Sequence, residues 1–257
     1  MRRLVAVLIL GFGCIPGEAL ASAASLFEIY RSGNYEATIS AAEKEGTGEA
    51  LAVAARAAFA QTNLSETPCM PCLKRVESLA RRSIALDAAH PEAFVYLAAA
   101  FGYEARIVGN VRGQLAHYPE QAKQAIDHAL AVAPNDSWSL AAMGAWHVEV
   151  ARNGGRLLAS AIYGARFETG VAYFRRGIAA EPENPVIRFQ YALSLSGYDF
   201  DTNKEEVLAQ LGTAAKLEPR TAYERAIRDR SLRLIEVART GKRDAYLALV
   251  SHYQGYS

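Results

Sequence analysis

The stretch that decides the fold is 131–149, "AVAPNDSWSLAAMGAWHVE". An alanine-rich segment ends at Pro134, a polar pair follows, and a new apolar pattern begins at once. In the new pattern, side chains that suit a packed interface recur at intervals of three and four, the spacing of one helix face, at Leu140, Met143, Gly144 and His147. The stretch therefore predicts the end of one helix, a short break and the start of the next.

The same junction recurs along the chain, marked by Ala88, Pro134, Pro182 and Pro219 at intervals of 46, 48 and 37 residues. Between the junctions, apolar residues repeat at helical spacing, and no run alternates with the period of two that strands require. A supersecondary unit repeated at such intervals is typical of solenoids. The sequence predicts an all-α fold, an α-solenoid of antiparallel helix pairs.

These units resemble tetratricopeptide repeats (TPRs) over about residues 24–240. The motif residues of the central unit are Leu140, Met143–Gly144 and His147, preceded by Ala122, Ala129 and Pro134. Near the start, "RSGNYEATI" matches the Gly-x-Tyr turn between the two helices of a repeat, helices A and B. The units are longer than ordinary TPRs, so the resemblance implies TPR-like repeats with expanded A-to-B connections at 107–118 and 150–168.

Within that class, the segment 131–149 is similar to the helical-repeat domain of the regulator of microtubule dynamics family and its bacterial relatives. The cytoskeletal role of the eukaryotic members does not transfer to this chain, because it is predicted to be exported.

The N-terminus has the pattern of a targeting signal. "MRR" precedes an apolar run, Leu4–Ile15, that is short for a membrane span, and a small-x-small site ends at Ala21. We predict a signal peptide over 1–21, a mature domain over 22–257 without a transmembrane span, and a periplasmic or secreted protein. A lipoprotein attached through Cys14 and an uncleaved N-terminal anchor are the alternatives.

Cys69 and Cys72 are the only cysteines that remain if the signal peptide is removed. A c-type haem site would need His at 73, where Leu73 stands, and a zinc site would need two more ligands. A thioredoxin-like site would need a strand ahead of the pair, and the preceding segment has a helical pattern. We expect a local structural disulfide in a helix–helix connection, with a redox pair as the alternative and no cofactor.

Other candidates for chemistry are weak. Asp199, Asp201 and Asn203 resemble the start of a calcium loop, but Lys204 replaces its glycine, and a capping box of Thr202 and Glu205 explains the segment better. The 28 basic and 27 acidic residues give no argument for nucleic acid binding. The sequence nominates no nucleophile or acid partner for a catalytic histidine, so we expect no metal site, no catalytic residues and a non-enzymatic protein.

The TPR resemblance implies a concave groove, lined by helix A, that binds a protein or peptide partner. It nominates Trp138 and Phe189 as exposed anchors, accompanied by Tyr103, Glu149, Tyr223, Arg230 and Arg233. We therefore expect a scaffold or adaptor of the bacterial cell envelope. Two alternatives are a thiol–disulfide protein using Cys69 and Cys72, and a protein that binds a small ligand near Trp146, His147 and Tyr163.

Overall fold

The computed structural model of the protein describes residues 17–65 and 67–256, with side chains from residue 25 onward. These residues form thirteen α-helices and no β-strand, which confirms the all-α prediction. The helices are α1 (Gly17–Ser32), α2 (Tyr35–Glu45), α3 (Gly48–Leu64), α4 (Met70–Leu86), α5 (Pro91–Val108), α6 (Asn110–Leu115), α7 (Tyr118–Val132), α8 (Ser137–Gly154), α9 (Arg156–Tyr163), α10 (Phe167–Ala180), α11 (Pro185–Lys216), α12 (Ala222–Arg239) and α13 (Arg243–Tyr253).

The helices pack as successive pairs. The pairs are α1 with α2, α3 with α4, α5 with α7, α8 with α10, the two halves of α11, which Arg188 and Gln210 join by a hydrogen bond, and α12 with α13. Contacts between neighbouring pairs join them into one curved array, as a solenoid requires. The short helices α6 and α9 occupy the two expanded connections that the sequence predicted.

Each predicted junction lies between helices, because Ala88, Pro134, Pro182 and Pro219 all fall in breaks. The residue before the next helix caps it through its side chain in three cases. Asp136 accepts from the backbone N–H of Ser139 at 2.7 Å. Asn184 accepts from two backbone N–H groups at the start of α11, and Thr221 accepts from the backbone N–H of Glu224 at 3.0 Å. These caps explain why the junction motif starts a helix.

Glycines let α8 and α10 approach more closely than helices with side chains could. A Cβ on Gly144 would lie 2.8 Å from the ring of Phe174, and one on Gly177 would lie 2.9 Å from the carbonyl oxygen of Ser137. Since real Cβ atoms do not approach so closely, either substitution would force the two helices apart.

The chain turns inside α11 at Asp199, whose φ of −161° and ψ of 95° are not helical. Asp199 itself caps the second half, since one carboxylate oxygen accepts from the Thr202 N–H at 3.1 Å and the other from its hydroxyl at 2.8 Å. The predicted capping box beginning at Thr202 was therefore placed three residues too late. Of the residues that resemble a calcium loop, Asp199 therefore serves as a helix cap and Asp201 pairs with Arg243 at 2.8 Å.

The array curls until its last pair touches its first. A Cβ on Gly33, in the turn between α1 and α2, would lie 2.8 Å from the Cβ of Ala222 at the start of α12. Arg31 Nε donates to the carbonyl oxygen of Arg220 at 3.1 Å. The first and last helix pairs of the array therefore meet beside the concave face, a contact that the sequence prediction did not include.

The predicted signal sequence lies for the most part outside the described residues, as does Cys14. Among the helices that the structure describes, none combines the length and apolarity needed to cross a bilayer.

Candidate binding cavity

A cavity of about 240 Å³ lies on the concave face, bounded mainly by the first helix of each pair. The walls are predominantly apolar and rich in aromatic rings. The aromatic residues that border the cavity are Tyr30, Phe59, Tyr96, Phe101, Tyr103, Tyr118, Trp138, Trp146, Tyr163 and Tyr223. Such a surface is suited to binding apolar groups, with hydroxyl and indole N–H groups available for orientation.

Asn63, near the end of α3, organises one side of the cavity. Its side-chain amide donates to the Tyr103 hydroxyl at 2.7 Å, and its side-chain oxygen accepts from the Tyr223 hydroxyl at 2.9 Å. Arg230 donates to the same oxygen at 3.0 Å and to the Asn63 backbone carbonyl at 2.9 Å. Helices α3, α5 and α12 are therefore held together by one buried amide.

Arg106 organises a second side, at the last turn of α5. Its guanidinium donates to the backbone carbonyl of Gln254 at 2.8 Å and lies 3.5 Å from a carboxylate oxygen of Glu149 on α8. It also lies over the ring of Tyr103, at 4.6 Å from the centroid. The side chain of Gln254 accepts from Arg152 at 3.1 Å. The residues after α13 thus tie the ends of α5 and α8 together.

A third charged group in the wall is also paired. Arg56 Nε donates to Glu92 at 2.6 Å, and the guanidinium lies 5.6 Å from the ring centroid of Tyr30. Burial raises the pKa values of Tyr30, Tyr96 and Tyr223 above the ordinary phenol value, so these hydroxyls are neutral near pH 7. The walls therefore present neutral hydroxyls and compensated charges to an occupant.

The partner residues that the sequence nominated divide into two groups. Tyr103, Trp138, Glu149 and Tyr223 border the cavity. Phe189 does not, because it is fully buried on α11 with its ring 6.1 Å from that of Tyr253 on α13.

The two predicted groove arginines also face elsewhere. Arg230 is held by Asn63 and lies over the ring of Tyr253 at 4.7 Å, and Arg233 pairs with Glu236 on an exposed surface at 2.7 Å. The predictions that Phe189 is an exposed anchor and that Arg230 lines the groove are wrong because α13 packs over these residues. The prediction that Arg233 lines the groove is wrong because its side chain lies on the exposed surface of α12.

The predicted ligand pocket is also divided. Trp146 and Tyr163 border the cavity, and the indole N–H of Trp146 donates to the Pro119 carbonyl at 2.8 Å. His147 faces the α10 side, where its Nδ1 accepts from the backbone N–H of Arg166 at 3.2 Å and its ring stacks on Tyr173. Burial lowers the pKa of His147 to about 4, and Lys123 adds to this effect. The prediction that His147 belongs to the pocket is wrong, since it is a neutral packing residue.

Sequence reasoning missed Asn63, Arg106 and Gln254, which assemble the cavity walls. Each lies outside the repeat motif, and their contacts reach across the array rather than along it. In the sequence, the only feature that these residues share is an amide or arginine side chain near the end of a helix. That feature is too common to identify a site.

Cys69 and Cys72 form a disulfide across the first turn of α4, with their Cα atoms 5.2 Å apart, as predicted. Cys69 is the residue before the helix, and its sulfur accepts from the backbone N–H of Cys72 at 3.2 Å. The preceding element is helix α3, which does not fit the strand of a thioredoxin-like site. Within the described ranges, no three His, Cys, Asp or Glu side chains are grouped to hold a metal ion.

No protein-family model and no curated protein matches this chain. The narrower resemblance to the regulator of microtubule dynamics family therefore stays a prediction. Among solved structures, a thermophilic TPR protein from Thermus thermophilus superposes with a TM-score of 0.57 at 19% identity, covering 83% of this chain and 98% of that one. The helix pairs and this likeness together identify the fold of the chain as a TPR-like α-solenoid.

Proposed function

We propose that the protein is a non-enzymatic adaptor of the cell envelope that binds a partner protein by taking its apolar side chains into the concave cavity. The observation that carries the proposal is the aromatic lining supplied by the first helices of the repeat pairs. Residues of this type, held in fixed positions and largely desolvated, dominate the binding energy of protein interfaces.

The size of the cavity sets the kind of partner segment. At about 240 Å³ it is slightly smaller than typical small-molecule pockets, so it suits one or two large apolar side chains. The walls are already ordered, because Asn63 and Arg106 fix Tyr103 and Tyr223 through direct contacts. Little conformational entropy would be lost from the walls on binding, which favours affinity.

The charges near the cavity favour binding over catalysis. Arg56 is paired with Glu92, and Arg106 interacts with Glu149 and the backbone of Gln254. His147 lies on the other side of α8 and is neutral near pH 7. An acid–base catalyst would need a titratable side chain with a pKa near neutrality that can reach a molecule bound in the cavity. Neither the paired arginines nor His147 meets both requirements.

Site-specific photocrosslinking in cells tests this function. A photoreactive phenylalanine at Trp138, which borders the cavity, should crosslink to a defined partner, while the same residue at the exposed Leu232 should not. Capture of the same proteins from both positions, or of none from position 138, would contradict the proposal. Osmotic release of the protein with the periplasmic fraction tests the export that residues 1–21 predict.

A second candidate is a small apolar ligand, favoured by the contacts that bring α12 and α13 across the concave face. These contacts close the cavity where α12 and α13 cross it, and a long peptide would need to pass through the same space. Native mass spectrometry of freshly purified protein distinguishes the two candidates. A bound small molecule that denaturation releases would support the ligand, and an apo mass with a crosslinked protein partner would support the adaptor.

A further inference from the structure

Large apolar side chains are exposed on the two short helices that fill the expanded connections. Five of them stand between 54% and 88% exposed. They are Val111 and Leu115 on α6, and Leu157, Leu158 and Ile162 on α9. We call these five residues with their two helices the α6–α9 surface. Scattered single exposed leucines need no explanation, but five large exposed apolar residues on two short helices indicate an interaction site.

The two helices lie at the same rim of the molecule. Helix α6 follows α5 after Gly109, and α9 follows α8 after Gly155. The C-terminal halves of α5 and α8 are adjacent, since the guanidinium of Arg106 lies 3.5 Å from the carboxylate of Glu149. Gln114 on α6 and Tyr163 at the end of α9 both border the concave cavity. Both helices of the α6–α9 surface therefore lie beside the cavity.

The orientation of these helices is the reverse of an ordinary surface helix. Their buried positions are taken by small residues, Gly113 on α6 and Ala159 on α9. A Cβ at Gly113 would lie 3.4 Å from the Cβ of Ala105, so the helix sits close against α5. In a helix that serves only the core, the large apolar residues would face inward. On α6 and α9 the large apolar residues face outward, so their apolar area is available to a binding partner.

The charged residues of the two connections indicate the chemical class of that partner. Helices α6 and α9 contain no Asp or Glu, and the first acidic residues after them are Glu120 and Glu168. Three arginines lie on the two helices or shortly after them, Arg112, Arg156 and Arg166. The guanidinium of Arg156 lies 3.5 Å from the carboxylate of Glu168, and both side chains are exposed. Arg166 Nε donates to the Ser160 hydroxyl. Exposed leucine and isoleucine beside arginine, on helices that carry no acidic residue themselves, is the composition of helices that lie in an anionic membrane interface.

We propose that the α6–α9 surface docks the protein onto an anionic lipid bilayer. The five apolar side chains enter the boundary between headgroups and acyl chains, and the arginines contact lipid phosphates. Docking through two short helices gives reversible binding, because the apolar area is far smaller than that of a spanning helix. The concave cavity then lies beside the membrane surface.

Hydrogen exchange measured by mass spectrometry on the full-length protein tests the proposal, because it reports each segment separately from the apolar N-terminus. We expect vesicles of phosphatidylcholine and phosphatidylglycerol in equal parts to slow exchange at least about threefold in peptides covering 109–117 and 155–164. Peptides around the exposed Leu86 and Leu232 should be unchanged.

Two sets of variants make the test specific. The triple variant Leu115→Ser/Leu157→Ser/Ile162→Ser should lose the slowing and keep its thermal stability, since all three side chains are exposed. The matched variant Leu86→Ser/Leu232→Ser should behave as the wild type. The variant Arg112→Gln/Arg156→Gln should retain less of the slowing on anionic vesicles.

Three results would overturn the proposal. The first is unchanged exchange in both segments with vesicles present. The second is equal slowing on pure phosphatidylcholine, which would remove the role of the arginines. The third is slowing without vesicles that increases with protein concentration, which would assign the surface to a second copy of the chain.

Discussion

Tyr223, at the start of α12, donates its hydroxyl hydrogen to the side-chain oxygen of Asn63, near the end of α3, across 2.9 Å. The two residues are 160 positions apart, and both are buried. The same amide also binds Tyr103 and Arg230. One side chain therefore joins the second repeat pair to the third and to the last, and gives the solenoid its closed curvature.

Replacement of Asn63 by alanine should destabilise the protein by about 2 kcal/mol, because it leaves buried donors and acceptors without partners. Tyr223→Phe removes a single hydrogen bond and should cost about 1 kcal/mol. Urea unfolding followed by circular dichroism measures both. Hydrogen exchange in α12 should accelerate more in Asn63→Ala than in Tyr223→Phe. Equal, small effects of both variants would show that the closure does not depend on the amide.

His147 gives the protein a defined sensitivity to acid. Burial lowers its folded pKa to about 4, against 6.5 in the unfolded chain, so the unfolded state binds more protons between these values. Stability contributed by the neutral side chain is present above pH 6.5 and decreases as the pH falls towards 4. We expect a loss of about 2 kcal/mol from pH 7 to pH 4.5.

The control for His147 is His147→Asn, whose side-chain oxygen can accept the Arg166 N–H in place of Nδ1. It should be less stable than the wild type at pH 7 but lose less stability on acidification. Urea midpoints at several pH values give the comparison. Equal slopes for the two proteins would assign the acid sensitivity to other groups.

The fold could be predicted because its rules are local. At the junctions at 88, 134, 182 and 219, one helix ends, a short break follows and the next helix begins, all within a few residues. The last three junctions also supply a capping side chain. Gly144, which was predicted as a position of the repeat motif, lies at a close helix crossing with no room for a Cβ. Periodicity and caps were therefore enough to predict the helix pairs and the two expanded connections.

The candidate site could be predicted only in part, because its closure depends on contacts distant in sequence. Trp138 and Tyr103 were nominated from the repeat register, and they do border the cavity. Phe189 occupies an equivalent register but is covered by α13, which no repeat rule anticipates. The path of the last two helices is set by Asn63 and Arg106, residues outside the motif. Local sequence patterns do not specify which distant helices meet when a solenoid curves back on itself.

The disulfide should be a local staple without redox turnover. In Cys69→Ser/Cys72→Ser, the serine at 69 can still cap α4, so the helix start should persist. Loss of so short a loop closure should cost about 2 kcal/mol or less. Thermal unfolding, compared with that of the wild type under dithiothreitol, measures this. Catalysed reduction of a disulfide substrate by the wild type, absent from the variant, would instead support the thiol–disulfide alternative.

Gly102 on α5 provides a way to fill the cavity without disturbing the fold. It borders the cavity, and a Cβ there would meet no atom within 4 Å. Gly102→Leu should raise stability by about 0.8 kcal/mol through helix propensity and reduce crosslinking from position 138 at least tenfold. Gly212→Leu on α11, equally free of neighbours but away from the cavity, should give the same stabilisation with unchanged crosslinking. Urea midpoints and crosslink yields measure the two effects. In Gly102→Leu, the introduced leucine would occupy the cavity. Crosslinking at the wild-type level in this variant would therefore mean that the partner binds elsewhere.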